Sequence, residues 1–195
     1  MKNKPVIVGI GELLWDMLPS GKKAGGAPVN FVYHASLLGA ESYAISAIGK
    51  DALGDEILQE LDKIKLSYFI ERVDYPTGTV LVQLKEGIPN YTIIENVAWD
   101  YIPATDEVKQ LARRTDAICF GTLAQRSAVS RSTIHEILSL VPQRAYRILD
   151  INIRQHFYSK QIIEESLRLC NVFKMNDDEL ELLREMFPLD GYDED

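Results

Sequence analysis

Ala24-Gly25-Gly26-Ala27-Pro28-Val29-Asn30 runs without a break into Phe31-Val32-Tyr33-His34-Ala35-Ser36-Leu37-Leu38-Gly39. Two adjacent glycines let the backbone take positive φ and leave bare amides that another molecule can approach. Pro28 suits the first position of a helix, and Val29, Val32, Ala35 and Leu38 fall on one stripe that Gly39 ends. The first turn of that helix therefore presents free N–H groups beside the diglycine. Asn30 sits in the same turn with donor and acceptor capacity together, which suits a polyol whose hydroxyls both give and take hydrogen bonds. A plain glycine-rich turn before a helix explains these residues equally well, so the choice falls to the rest of the chain.

Upstream, Pro5-Val6-Ile7-Val8-Gly9-Ile10-Gly11 is short, β-branched and glycine-bounded, the pattern of a buried strand. Gly9-x-Gly11 does not make a dinucleotide fingerprint, because Leu14 stands where the third glycine belongs and no helix follows at once. Asp16 is an acid among apolar neighbours in Glu12-Leu13-Leu14-Trp15-Asp16-Met17-Leu18-Pro19, and by itself reads as a turn-capping residue. Downstream, Ser42 to Gly49 forms a strand pattern and Leu53 to Ile64 an amphipathic helix. Phe69-Ile70-Glu71-Arg72, Gly78 to Leu84 and Tyr91 to Glu95 are then successive strands, with Glu86-Gly87-Ile88-Pro89-Asn90 as a hairpin turn. Strands without intervening helices suggest an inserted antiparallel sheet, and Trp99 reads as a packing residue.

Alternation of strand and helix resumes with a helix capped by Thr105 and continues to a last helix from Asp177 to Phe187. Such alternation makes a parallel sheet covered on both faces, with ligands at the carboxyl ends of its strands. Three of those ends carry polar clusters: Gly121-Thr122-Leu123-Ala124-Gln125-Arg126-Ser127, Asp150-Ile151-Asn152-Ile153-Arg154 and Lys174-Met175-Asn176-Asp177-Asp178-Glu179. A polar loop accounts for the first. In the second, alternation would turn Asp150, Asn152 and Arg154 the same way. For the third, Asn176 three residues before Glu179 and an apolar run favours a capping box.

At 195 residues, with 46% hydrophobic and 26% charged residues, one ordinary globular domain is expected. The net charge of −8 argues against a nucleic-acid surface. No apolar run approaches membrane-spanning length, and Met1-Lys2-Asn3-Lys4-Pro5 leads directly into a strand, so a cytoplasmic location without membrane association is expected. Cys119 and Cys170 form no C-x-x-C and read as buried free thiols. The closing Asp190-Gly191-Tyr192-Asp193-Glu194-Asp195 reads as a solvated acidic end.

Gly25-Gly26-Ala27-Pro28-Val29-Asn30, Leu38-Gly39 and Ile48-Gly49-Lys50-Asp51-Ala52-Leu53-Gly54 together resemble the N-terminal signature of PfkB-type, ribokinase-like sugar kinases. The resemblance covers nearly the whole chain in family order. It implies an α/β sandwich with a mainly parallel sheet flanked by helices, spanning residues 1–195, and a small antiparallel lid within 12–18 and 68–96. Through it, Asp16, Gly25, Gly26 and Asn30 become sugar-binding residues and Arg154, in an Asp-x-Asn-x-Arg motif, a neighbour of the transferring phosphoryl group or the sugar. Asn176 and Glu179 match the family's Asn-x-x-Glu motif, which organises Mg²⁺, its waters and ATP phosphate, Glu179 acting through water.

The implied activity is phosphorylation of a sugar by ATP, with fructose first among the substrates because Val97-Ala98-Trp99-Asp100 resembles fructokinase-like members. Ribose, 2-keto-3-deoxygluconate and nucleosides stay open, as does a homodimer formed through the lid. The family's catalytic base lies in a C-terminal Gly-Ala-Gly-Asp motif, and after Gly121 the chain has only Gly191, within Gly-Tyr-Asp-Glu-Asp. The chain is therefore expected to be inactive alone and to act within a longer protein. The contrasting expectation is a non-catalytic sugar-binding or regulatory module.

Overall fold

A computed structural model describes residues 4–85 and 88–187 of the chain. Its centre is strand β1 (Val6–Ile10), flanked by β4 (Glu41–Gly49) and β5 (Ser67–Val73) on one side. On the other lie β8 (Ala117–Gly121), β9 (Tyr146–Asp150) and β10 (Val172–Lys174). The order is β10-β9-β8-β1-β4-β5, and every neighbouring pair is parallel.

Burial on both faces explains the near-continuous apolar strands. In β4, Ile45 and Ala47 join one core cluster, with Val8 and Ile10 of β1, while Ala44 and Ile48 join the other. Helices α1 (Ala27–Leu37) and α2 (Ala52–Lys63) cover the second cluster through Val29, Val32, Ile57 and Leu61. Helices α3 (Asp106–Arg113) and α4 (Ala128–Leu140) cover the first through Val108, Leu111, Ile134 and Ile137. Helices α5 (Lys160–Leu169) and α6 (Asp177–Met186) share a smaller cluster built on Ile151, Ile163 and Leu183. Thr105 caps α3 as its sequence predicts, accepting from the Val108 amide. Gly9 serves close packing, since a Cβ there would overlap the Pro28 carbonyl oxygen as α1 crosses β1.

The lid is a second sheet of four strands in the order β3-β2-β6-β7: β2 (Leu14–Leu18), β3 (Gly21–Gly25), β6 (Gly78–Lys85) and β7 (Ile88–Ile93). It is mixed rather than antiparallel, because β2 pairs antiparallel with β3 but parallel with β6. Gly21–Gly25 is an added lid strand, and the segment around Phe69 is not a lid strand at all. Strand β5 extends the main sheet beside β4 because both its faces are apolar: Phe69 and Val73 pack on one core cluster, Tyr68 and Ile70 on the other. Glu86 and Gly87 of the expected hairpin turn, Met1 to Asn3 and the acidic end from Asp190 lie outside the described residues. Among the described residues, no helix is long and apolar enough to cross a membrane.

Trp99 is fully buried and fills a packing role as expected. The Arg126 guanidinium lies 3.9 Å from its ring centroid and 4.5 Å from that of Phe157, and pairs with Asp100 at 2.8 Å. A buried pair of this kind holds the polar loop after β8 against the segment that leaves the lid.

Candidate active site

The sheet reverses its winding between β1 and β8: one strand leads outward to β4 and β5, the other to β9 and β10. At such a switch point the loops leave in opposite directions and open a crevice at the strands' carboxyl ends. A cavity of about 680 Å³ lies there, between the sheet and the lid. Glu12 after β1, Leu123 after β8, and Asn152 and Arg154 after β9 form its sheet side. Gly26 and Asn30 enter from the start of α1, and Asp16 from lid strand β2.

Five of the seven residues that the sequence singles out are accounted for around this cavity. Asp16, Gly26, Asn30 and Arg154 line it. Gly25 stands behind the lining: a Cβ there would come 2.8 Å from Asp16 Oδ2, so the glycine makes room for that carboxylate. Gly26 has φ 130°, and a side chain on it would strike the Glu12 carbonyl oxygen, so only glycine fits. Partial burial raises the Asp16 carboxyl above its usual range, opposed by the positive charge of Lys23, its partner across the β2–β3 pair.

Asn176 and Glu179 lie next to the cavity rather than in its lining, and form the capping box at the start of α6. Glu179 N–H donates to Asn176 Oδ1 at 2.8 Å, and Asn176 N–H donates to Glu179 Oε2 at 2.9 Å. Glu179 Oε1 also accepts the amide of Ile153 at 2.8 Å, which ties α6 to the loop carrying Arg154. The alternation expected across Asp150, Asn152 and Arg154 does not occur. Strand β9 ends at Asp150, Asn152 takes φ 41°, and the Asp150 carboxylate turns to Lys174 Nζ at 2.8 Å. Asn152 and Arg154 still meet at the cavity, brought there by the turn instead of by a strand face.

As a metal site, the pair has limits. Glu179 is 6% exposed with both oxygens engaged by amides, and the described residues hold no cluster of three or more metal-ligating side chains. This fits Mg²⁺ only where waters and phosphate oxygens supply the inner ligands, which is how that ion is commonly held.

Glu12 is the residue that sequence reasoning passed over. It is 3% exposed, and its Oε1 accepts the Ala27 amide at 3.0 Å, capping a helix whose own N-cap, Gly26, has no side chain to do so. Burial pushes its carboxyl up to about 7, against the lowering effect of backbone amides. The available signal was position: it directly follows the glycine that ends the central strand.

A buried acid, a second acid on the lid, an amide at a helix start and a guanidinium converge at the switch point, a set of groups that can both donate hydrogen bonds and accept them. Residues 20–188 match the model of the pfkB family carbohydrate kinases, and the chain belongs to that family. It is 26% identical over 194 residues to a sugar kinase of Pyrococcus horikoshii, covering 90% of this chain and 63% of the relative. The crystal structure of that uncharacterized kinase superposes with a TM-score of 0.83, at 26% identity, over 92% of this chain and 66% of that one. The same protein has also been solved in complex with ATP, with a TM-score of 0.80. An ATP-dependent 6-phosphofructokinase of Thermoanaerobacterium thermosaccharolyticum is 30% identical over 145 residues, covering 68% of this chain and 44% of the relative. A fructokinase of Salmonella typhimurium is 25% identical over 186 residues, covering 88% and 60%. The chain thus spans less than two thirds of the length of each of these relatives.

Proposed function

We propose that the protein containing this chain transfers a phosphoryl group from MgATP to a hydroxyl of a ketose, fructose first. The observation that carries this reading is the convergence of Asp16, Gly26, Asn30 and Arg154 on one lid-covered cavity at the switch point. Asp16 and Asn30 hold adjacent sugar hydroxyls, the amides at the start of α1 approach the sugar across Gly25 and Gly26, and the lid limits water. Arg154 acts as the catalytic cation, spreading positive charge over phosphoryl oxygens or gripping the sugar beside them. Asn176 and Glu179 would hold Mg²⁺ through its waters, and the ion would supply positive charge to neutralise the nucleotide phosphates. The base that accepts the hydroxyl proton is assigned to sequence outside these 195 residues, so the chain alone is expected to turn over no substrate.

The charge around the cavity favours a neutral sugar. Among the described lining residues, Glu12 and Asp16 face one arginine, a poor setting for a sugar that already carries a phosphate. The similarity to a 6-phosphofructokinase nevertheless gives fructose 6-phosphate a place in the test. Cytoplasmic location, and a homodimer through lid strands that expose Leu18 and Leu81, belong to the same proposal.

Incubating the native protein with MgATP and a panel of fructose, fructose 6-phosphate, ribose, 2-keto-3-deoxygluconate and nucleosides tests it. Phosphorylation of fructose supports the reading. Turnover of nucleosides alone refutes the sugar, and sugar binding without any turnover favours a regulatory module.

A further inference from the structure

Glu12 has one oxygen that no group among the described residues uses. Oε1 takes the Ala27 amide at 3.0 Å, whereas Oε2 is buried without a hydrogen-bond partner. Buried polar atoms are seldom left in this way, and those that are call for an explanation such as a ligand. The helix start does not require the second oxygen, because Ala27 uses only one. The residue borders the cavity at the carboxyl end of β1, at the crossing of the sheet's two halves. Its main chain is fixed as well, since the Glu12 carbonyl is packed against Gly26 so closely that no Cβ fits between them.

We propose that Glu12 is a further substrate-contact residue: in the ionised state its free Oε2 accepts a hydrogen bond from a hydroxyl of the sugar bound beside Asp16 and Asn30. This rests on the sugar-binding reading of the cavity. A hydroxyl donor supplies the partner that Oε2 lacks, and a carboxylate accepts more strongly than a neutral acid. The charged groups that face Glu12 set the conditions. Arg154 in the loop after β9 favours the ionised form, and Asp150 at the end of that strand opposes it. Cys119 on β8 is pushed up to about 12 and does not titrate near neutrality, while Asp16 across the cavity is raised by burial. With burial placing the carboxyl at about 7, a bond accepted by the carboxylate lowers that value, so sugar binding releases a proton. Affinity must then rise as pH is brought from 6 to 8.

Isothermal titration of fructose, ribose and 2-keto-3-deoxygluconate into the native protein, at pH 6, 7 and 8 and in buffers of different ionisation enthalpy, reads both effects. The wild type is expected to bind one of these sugars more tightly at pH 8 than at pH 6, with proton release. E12Q keeps an oxygen for the Ala27 amide and presents a neutral donor in place of Oε2. It is expected to lose about 10- to 100-fold in affinity at pH 8, as for a hydrogen bond to a charged group, and to lose the pH step. If a sugar binds with no pH step and no proton release, the inference fails while the cavity's function stands. A pH step that persists in E12Q assigns the titration to Asp16 and overturns it too. If none of the three sugars binds the wild type, the underlying reading fails instead.

Discussion

The amide of Ile153 donates to Glu179 Oε1 at 2.8 Å, joining the first turn of α6 to the loop that brings Arg154 to the cavity. Because Oε2 of the same carboxylate holds the Asn176 amide, Glu179 is a two-sided clamp on the backbone. A glutamine can accept on only one side. Glu179→Gln is therefore expected to lower stability by about 1–3 kcal/mol, the cost of leaving a buried amide facing a donor. The shift of the urea midpoint at constant m checks this. An unchanged midpoint would mean that the clamp contributes nothing.

Gly25 and Gly26 are adjacent but should fail differently when replaced by alanine. Gly26→Ala meets both a left-handed φ and the Glu12 carbonyl, so a loss of at least about 1–3 kcal/mol is expected. Gly25→Ala instead presses on the Asp16 carboxylate, so its main effect should fall on sugar affinity. Thermal unfolding and sugar titration of the two variants, side by side, separate the roles.

Strands β1, β4 and β8 of the main sheet were legible in the sequence because they are buried on both faces, which leaves runs such as Val6 to Ile10 unmistakable. Lid strand β3 was not. Gly21-Lys22-Lys23-Ala24-Gly25 has almost no intrinsic strand preference and is ordered by its pairing with β2. Strand β5 looked like part of the lid because no helix follows it, and only its packing on two core clusters assigns it to the main sheet. At the site, Asp16, Gly26, Asn30 and Arg154 were readable from motif order. The turn at Asn152 and the buried Glu12 were not, since a positive φ on asparagine and an unpaired oxygen leave no pattern in a sequence.

Asp51 predicts an acid-sensitive joint at the root of the lid. Burial raises its carboxyl, but the Thr77 hydroxyl and amide and the Gly54 amide together hold it below the usual range. A lowered folded-state value gives stability that is present above the unfolded pKa and lost as pH falls through the folded one. Asp51→Asn should therefore destabilise the protein at neutral pH and flatten the fall in stability between about pH 5 and pH 3. Denaturation midpoints measured across that range for both proteins test the sign.

Glu12 carries the opposite linkage. Its carboxyl is raised from 4.5 to about 7, so its contribution is full below the unfolded value and is lost as pH rises through 7. Glu12→Gln removes the ionisation, and should match the wild type near pH 4 while exceeding its stability at pH 8 by on the order of 2–4 kcal/mol. Chemical denaturation at the two pH values gives the comparison. A variant less stable than the wild type at pH 8 would show that the ionised carboxylate is well solvated in the fold.

If the crevice between β1, β8 and the lid holds the sugar, amide chemical-shift mapping will show it without requiring turnover. Fructose titrated into the isotopically labelled native protein should move the amides of Asp16, Gly25, Gly26, Asn30, Asn152 and Arg154 in one saturable process, and Asp16→Ala should abolish that response. No saturable shift with any sugar, or shifts gathered around Asp100 and Arg126 instead, would contradict that placement.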